Sequence, residues 1–205
     1  MRIGPLPPAD DRAAADVLAA VFADDPLIAR FIAGDDRPAR LRSFYLSAVR
    51  SARAGGGAVD GARDDDGTLL GVAVWVAPRR GTLARLRTLR HGWGQARALR
   101  LHGVRALRAY IRATAPHRVR LPHWELEDLA VAEQGRGRGI GSQLLAHRLA
   151  LLDARGGAAA LESTTTGSRR LYQRHGFAVV AEVPFRGAGE VTLMVRHPRK
   201  SPATA

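Results

Sequence analysis

The sequence predicts a mixed α/β fold, with helices on both faces of a central sheet. Segments with apolar residues at helical spacing alternate along the chain with shorter apolar segments that are typical of strands. A helical segment between two such strands also indicates a parallel crossover within the sheet. The 205 residues, of which 46% are hydrophobic, are enough for one domain with a buried core.

The N-terminal part of the chain predicts two helices. Residues 9–31 carry apolar side chains at helical spacing, and we expect this helix to break near Asp25 and Pro26. Pro38 opens the second helix, and the glycines at 55–57 end it.

A hairpin is expected to follow the second helix. Its strands are residues 58–63 and 69–77, and an Asp-Asp-Asp-Gly turn joins them at residues 64–67. Beyond the hairpin, leucines and other apolar residues recur at helical spacing and predict one or two amphipathic helices. We expect Gly92 and Gly94 to interrupt these helices.

The second half of the chain alternates between strands and helices. In order, it predicts a strand at 124–131, a helix at 142–155, a strand at 158–163, a short helix at 168–175, and closing strands at 178–183 and 190–196. The helix between the first two of these strands makes that crossover parallel.

The net charge of +13 is concentrated in one segment. Arg79–Arg120 contains twelve arginines and neither aspartate nor glutamate. One interpretation is compositional, because Lys200 is the only lysine and such arginine bias is typical of a GC-rich coding sequence. The other is an electropositive face for an acidic substrate, nucleic acid or cofactor phosphates. Nucleic acid is the least favoured of these partners, because single-strand binding needs aromatic rings between the basic residues and this segment contains only Trp93 and Tyr110.

The absence of cysteine excludes disulfides, cysteine-ligated zinc and thiol catalysis. The seven histidines show no ligand spacing, so we expect no metal. Among them, His175 is expected to serve packing or helix termination, and His123 is a weak candidate for a proton relay.

The organisation of the chain predicts a single domain over residues 1–197. Within it, residues 79–120 form a helical insertion, and residues 198–205 are expected to be a disordered tail. The sequence has neither a sufficiently long apolar run for a membrane span nor an apparent signal peptide, so we expect a cytoplasmic protein without membrane contact. The oligomeric state stays open, with a homodimer as one alternative.

The segment at residues 129–145 is typical of a phosphate-binding loop. Four glycines stand at alternate positions between an apolar strand and an apolar helix. A chain that turns directly from a strand into a helix leaves unpartnered N–H groups at the positive end of the helix dipole, where a diphosphate fits. The glycine register does not match the dinucleotide fingerprint, and the Gly-Lys-Ser/Thr of a P-loop does not occur.

Two motifs resemble the GNAT superfamily of acyl-CoA-dependent N-acyltransferases. Arg136-Gly137-Arg138-Gly139-Ile140-Gly141 matches the family signature Gln/Arg-x-x-Gly-x-Gly/Ala. Further on, Leu171-Tyr172-Gln-Arg-His-Gly-Phe177 resembles the family element Leu-Tyr-x-x-x-Gly-Phe. The resemblance covers residues 124–196. Within the superfamily, the sequence of these motifs is most similar to the puromycin N-acetyltransferase-like group.

The resemblance implies a mixed, mostly antiparallel sheet of about seven strands, in which the fourth and fifth strands splay apart around the cofactor. It implies direct acetyl transfer from acetyl-CoA to a primary amine. A small-molecule amine is favoured over a protein amine as the acceptor. The alternatives are a non-catalytic module that binds or senses acyl-CoA, and a protein N-acetyltransferase. The acyl chain length stays open.

The resemblance also implies a set of cofactor contacts. Backbone groups of Leu129 and Val131 pair with pantetheine as an added strand would, and amides from Arg136 to Ser142 bind the diphosphate. One departure is Ser168, where the family usually has asparagine. The predicted cofactor-binding residues are Leu129, Ala130, Val131, Arg136, Gly137, Arg138, Gly139, Ile140, Gly141, Ser142, Ser168 and Tyr172.

Direct transfer needs a base for the ammonium and an acid for the leaving thiolate. Tyr172 is the candidate acid, because it matches the tyrosine that family members place beside the CoA sulfur. Glu125 and Glu127 are alternative candidate bases on one face of the strand. Asp128 points the other way unless a bulge intervenes, and Glu162 on the neighbouring strand is a further candidate. These acids suit recognition of a cationic amine.

Overall fold

The computed structural model describes residues 1–78 and 82–199, and for residues 82–93 it describes the backbone alone. The strands are β1 (Arg2–Pro5), β2 (Ala58–Arg63), β3 (Leu69–Val76), β4 (His123–Val131), β5 (Ala158–Ser163), β6 (Ala178–Phe185) and β7 (Gly189–Arg196). The helices are α1 (Asp11–Val21), α2 (Pro26–Phe31), α3 (Arg37–Ala54), α4 (Thr82–Thr114), α5 (Ile140–Asp153) and α6 (Thr166–Arg174).

The strands form one seven-stranded sheet in the order β1-β2-β3-β4-β5-β7-β6. Among the strands of the described residues, β4 and β5 alone pair in parallel, and α5 is the helix that connects them. The prediction of a mixed, mostly antiparallel sheet is confirmed. The edge strand β1 has no counterpart among the segments identified from the sequence, because its four residues include Gly4 and Pro5 and carry no strand pattern.

The two faces of the sheet bury separate cores, as predicted for a sheet with helices on both sides. We call the face covered by α1 to α4 the first face and the face covered by α5 and α6 the second face. Leu18, Tyr45 and Val74 belong to the core of the first face. Trp75 and Leu144 belong to the core of the second. Successive residues of β3 alternate between the two, as the pleat of a strand requires.

The helix α4 is broken in a different place from the one predicted. Its backbone continues through Gly92 and Gly94, and the break lies at Arg100, whose φ is +55°. The prediction of an interruption at the two glycines is therefore wrong. A Cβ on Gly94 would stand 2.2 Å from Ser47 Oγ, so this glycine allows α4 to approach α3 closely. Gly103 has the same function against α2, since its Cβ would stand 2.0 Å from the Phe31 carbonyl oxygen.

An ion pair joins the sheet to the helix α5. Asp60 in β2 is fully buried, and Arg148 Nε donates to its Oδ2 at 2.8 Å while the second terminal nitrogen bonds Oδ1. The two parallel bonds satisfy both carboxylate oxygens, which is what keeps a buried charge tolerable. The predicted tail lies outside the described residues from residue 200 onward.

Removal of the Arg148 side chain should destabilise the fold strongly. In Arg148→Leu the Asp60 carboxylate stays buried without its partner, which costs about 3–5 kcal/mol of unfolding free energy. Urea unfolding at neutral pH measures the loss. Arg155→Leu is the matched control, because Arg155 is exposed just after the same helix and should change stability by less than about 0.5 kcal/mol. Equal effects of the two variants would contradict this role of the ion pair.

Candidate active site

The sheet opens between β4 and β5. The parallel pairing runs from His123 opposite Ala158 to Leu126 opposite Leu161 and then stops. Both strands continue, β4 to Val131 and β5 to Ser163. We call the space beyond this last pair the cleft. Along the cleft the β4 backbone has no β5 partner, so its N–H and C=O groups on that edge are available to an extended ligand.

A β-bulge lies in β4 where the cleft begins. Trp75 of β3 pairs with Leu126, and the next residue in register, Val74, pairs with Asp128. Glu127 is therefore the extra residue of the bulge. The bulge restarts the alternation, so that Glu125 and Asp128 both stand opposite valines of the first face. The expectation that Glu125 and Glu127 share a face by simple alternation is thus corrected, since the bulge brings Asp128 to the face of Glu125.

The glycine-rich loop leads from β4 into α5. Gly137 and Gly139 have φ values of +74° and +71°, a left-handed conformation that a side chain would strain. Gly139 is the N-cap residue of α5, and no side chain caps the helix there. The N–H groups of the first turn, those of Ile140, Gly141 and Ser142, have no partner within the helix. This end of α5 follows directly on β4, so the backbone fits the diphosphate predicted from the sequence.

Tyr172 lies on α6, against the core of the second face. Its ring meets that of Phe177 edge-on, with 6.0 Å between centroids, and the residue is buried. Burial and the charge of Asp128 raise the pKa of the Tyr172 phenol above its usual range, so the hydroxyl stays a proton donor at neutral pH. Asp128 thus acts electrostatically on the side chain predicted as the acid.

Ser168 belongs to a group of hydroxyls at the start of α6. Its Oγ lies 2.7 Å from Ser163 Oγ and 2.7 Å from Thr165 Oγ1, and its backbone N–H donates to the same threonine oxygen at 3.1 Å. Thr165 is the N-cap residue of α6. The serine therefore fixes the start of this helix to the end of β5, in the position where the family usually has asparagine.

A network around Glu162 was missed by sequence reasoning. Arg118 Nη2 donates to Glu162 Oε1 at 2.7 Å, and the Tyr110 hydroxyl donates to the other oxygen of the same carboxylate. Arg118 Nη1 also lies 3.8 Å from Glu125 Oε1. Burial raises the pKa of Glu162 despite the opposing charge of Arg118. Nothing in the sequence distinguishes Arg118 from the other arginines of its segment.

Among the side chains that the structure describes, none forms such an ion pair with Glu127 or Asp128. Burial at the base of the cleft, followed by repulsion from Asp128 and Glu125, raises the pKa of Glu127 to about 8. Burial and the charge of Asp25 raise the pKa of Asp128 to about 7. Glu127 is nevertheless an exposed residue, so solvent screens part of this effect. Both carboxyl groups therefore hold a proton more tightly than an isolated carboxyl group does.

A cavity of ≈ 470 Å³ opens beside Glu125 and Glu162. Its lining comprises Val76, Ala77, Pro78, residues 117–123, Glu125, Ala160, Leu161, Glu162, Val180, Leu193 and Met194. The volume lies within the range of small-molecule pockets. The linker from α4 to β4 forms one wall, so a segment outside the two sequence motifs shapes the cavity.

His175 and His123 make local contacts. His175 is the C-cap residue of α6, as expected for a role in helix termination, and its Nε2 lies 2.7 Å from Ser142 Oγ. Burial and the nearby charges of Arg174 and Arg196 lower the pKa of His175. His123 Nδ1 bonds the Leu121 carbonyl at 2.7 Å and orders the linker before β4.

Among the side chains that the structure describes, no three from histidine, aspartate and glutamate are grouped so that they could hold a metal ion. No helix within the described residues combines the length and the apolar character needed to cross a bilayer. The arginines at 79–90 lie outside the described side chains, whereas further along the segment Arg105, Arg108 and Arg112 are exposed.

Comparison with known proteins identifies relatives of this fold. A model of the Acetyltransferase (GNAT) family matches residues 32–177. A solved structure of the histone acetyltransferase HPA2 and related acetyltransferase from Corynebacterium glutamicum is 29% identical, covers 98% of both chains and has a TM-score of 0.73.

Two more distant structures share the fold. Arylalkylamine N-acetyltransferase 2 from Aedes aegypti is 15% identical over 97% of this chain and 99% of its own, with a TM-score of 0.68. A phosphinothricin acetyltransferase from Sinorhizobium meliloti, solved in complex with AcCoA, is 16% identical over 100% of this chain and 91% of its own, with a TM-score of 0.58.

The raised pKa of Glu127 predicts a pH-dependent stability. Between about pH 5 and about pH 8 the folded protein holds a proton that the unfolded chain has released, so stability falls as the pH rises. Glu127→Gln should remove at least about 1 kcal/mol of this decline, after allowance for solvent screening. Urea unfolding at the two pH values measures it. Glu133→Gln, at an exposed position, is the control, and identical pH profiles for both variants would contradict the prediction.

Proposed function

The chain belongs to the GNAT acetyltransferase family, and on that premise we propose that it transfers an acetyl group from acetyl-CoA directly to a primary amine of a small molecule. The observation that carries the proposal is the cleft between β4 and β5. One end of it meets the uncapped start of α5, and the other holds the carboxylates Glu127 and Asp128. Phosphate-binding amides and an acceptor for protons thus lie at opposite ends of one opening.

The cofactor contacts follow from the backbone. Leu129, Ala130 and Val131 form the part of β4 that has lost its β5 partner, so they can pair with pantetheine as an added strand would. Residues 136–142 supply the amides for the diphosphate, and Arg136 and Arg138 add exposed positive charge. When bound, acetyl-CoA supplies the acetyl thioester.

Glu127 is the base that the geometry favours over Glu125. The Arg118 guanidinium lies 3.8 Å from the Glu125 carboxylate, so Glu125 is already engaged in an ion pair. Glu127 has a raised pKa, close to the pH at which the enzyme would work. Near that pH a fraction of the Glu127 carboxyl groups is ionised, and the ionised group has a high affinity for a proton.

The proposed transfer is a single direct exchange. Glu127 takes the proton of the ammonium, the amine nitrogen bonds the acetyl carbon, and the carbon–sulfur bond breaks. Tyr172 donates a proton to the departing thiolate, and the second proton that the nitrogen loses as the amide forms returns to the phenol through solvent. Glu127 releases its proton to solvent before the next cycle. The protein forms no covalent bond to the acetyl group, in agreement with a sequence that contains no cysteine.

A small-molecule acceptor is supported by the cavity beside Glu125, whose volume suits a compact ligand. The arylalkylamine enzyme with the same fold is named for such an amine. Membership of the puromycin N-acetyltransferase-like group, a cytoplasmic location, a homodimer and nucleic-acid binding by the arginine-rich segment stay predictions from the sequence.

Thiol release from acetyl-CoA, followed with a thiol-reactive chromophore, tests the proposal against a panel of polyamines, aminoglycosides, puromycin, amino acids and peptides. We expect turnover with a small-molecule amine, and the cysteine-free protein adds no background.

Gly139→Asp should weaken acetyl-CoA binding at least about tenfold, because it puts a negative charge at the start of α5. Gly156→Asp is its control, since Gly156 has a φ of +63° and lies beyond the other end of α5. CoA binding without turnover would instead favour a sensing module.

Replacement of the proposed acid should separate chemistry from binding. Tyr172→Phe keeps the ring that packs on Phe177 and removes only the hydroxyl. We expect kcat to fall about a hundredfold or more while the Kd for acetyl-CoA, measured by calorimetry, stays the same. An unchanged kcat would exclude Tyr172 as the acid and would leave the cofactor site intact.

A further inference from the structure

We infer that His175 is a positioning residue for the cofactor, because it directs the hydroxyl proton of Ser142 to the diphosphate of acetyl-CoA. The Nε2 N–H of the ring donates to Ser142 Oγ, and the serine hydroxyl then donates to a phosphate oxygen. The inference rests on the proposed function, because it assigns a further contact to the diphosphate at the same start of α5. It adds an oriented side-chain donor to the backbone amides of that site.

Ser142 lies in the first turn of α5, beside the backbone amides proposed for the diphosphate. Its own N–H is one of the three that have no partner within the helix. The side chains of a helix tilt toward its N-terminal end, so the Ser142 hydroxyl extends toward the same end as these amides. The residue is half-buried, which leaves part of its surface accessible to a ligand.

The Ser142 hydroxyl is hydrogen-bonded to a side chain of another helix. His175 Nε2 lies 2.7 Å from Ser142 Oγ, and the two residues are 33 positions apart in sequence. A serine inside a helix can instead donate to the carbonyl one turn before it. Among the described residues, no backbone carbonyl accepts the proton of this hydroxyl. The contact with His175 therefore sets the orientation of the serine hydroxyl.

His175 is itself held in a fixed place. Its backbone N–H donates to the Tyr172 carbonyl at 3.0 Å, and its carbonyl accepts from Arg196 Nε at 3.0 Å. The buried guanidinium of Arg196 also donates to both carboxylate oxygens of Asp153, at 2.8 and 2.6 Å. Asp153 is the last residue of α5. His175 is thus connected to the end of α5 through its backbone and to the first turn of α5 through its ring.

The charge of the ligand decides which partner donates in this hydrogen bond. A neutral imidazole has one N–H group, and a serine hydroxyl has one proton. If Ser142 donated to a bare Nε2, its oxygen would present only lone pairs to the phosphates and would repel them. If Nε2 donates, the hydroxyl proton can bond a phosphate oxygen, and hydrogen bonds to charged groups are among the strong ones. A protonated imidazole also donates from Nε2, so both protonation states of His175 give this arrangement.

A double-mutant cycle tests the inference, with the Kd for acetyl-CoA measured by calorimetry. Ser142→Ala should raise the Kd about tenfold, and His175→Leu should raise it about fivefold. Because His175 acts through Ser142, the double variant should bind about as weakly as Ser142→Ala, rather than about fiftyfold more weakly than the wild type. Additive losses, or an unchanged Kd in His175→Leu, would overturn the inference alone.

Two further measurements separate this role from mere support of α6. His175→Gln puts an amide N–H group in place of the Nε2 N–H, so the Kd should stay within about twofold of the wild-type value. At saturating acetyl-CoA, kcat should be the same in His175→Leu as in the wild type, because Tyr172 on α6 stays in place. Equal losses of affinity in both variants, or a lower kcat in both, would contradict the inference.

His197→Leu is the matched control, because His197 is exposed just beyond β7 and its replacement should leave the Kd unchanged. A wild-type protein that does not bind acetyl-CoA would overturn the proposed function and the inference with it. If the cycle gives the expected result but no amine of the panel supports thiol release, the proposed transfer fails and the inference is upheld.

Discussion

The parting of β4 and β5 is the constraint on which the rest of the site depends. Two parallel strands that separate beyond Leu126 and Leu161 expose backbone groups in the middle of a sheet, where water is scarce. Such groups require partners, and an extended ligand between the strands can supply them. The crossover helix α5 then begins where β4 ends, so the N–H groups of its first turn stand at the mouth of the same opening. The bulge at Glu127 turns acidic side chains toward the other end.

This arrangement separates two opposite electrostatic environments within one cleft. The start of α5 offers amides and the exposed arginines Arg136 and Arg138, which favour phosphates. A few residues away, Glu127 and Asp128 have no paired cation among the described side chains, and they hold protons more tightly than usual. The large positive charge of the whole chain therefore says little about the acceptor end, where the local field is negative.

Sequence patterns predicted the parts of the structure that depend on local rules. Pro26, Pro38 and the Asp-Asp-Asp-Gly turn mark element ends through backbone sterics alone, and the elements they delimit are confirmed. The bulge could not be placed, because it depends on the register between β3 and β4, which are far apart in sequence. The contacts of Arg118 with Glu162 and Glu125 were missed for the same reason. The predicted helix break at Gly94 is wrong. This glycine packs closely against Ser47, a contact that exists only once α3 and α4 are brought together, so the sequence alone does not show it.

The contact between Gly103 and the Phe31 carbonyl connects the packing of α4 on α2 with the proton affinity of the Glu162 carboxylate. It sets how near the second half of α4 stands to α2, and two turns further along the same helix Tyr110 reaches down to Glu162. The phenol and Arg118 share that carboxylate, and Arg118 also faces Glu125. The distance between α2 and α4 therefore influences the proton affinity of the Glu162 carboxylate in β5. Variation in residues of α4 that never touch a ligand can in this way tune the chemistry of the cleft.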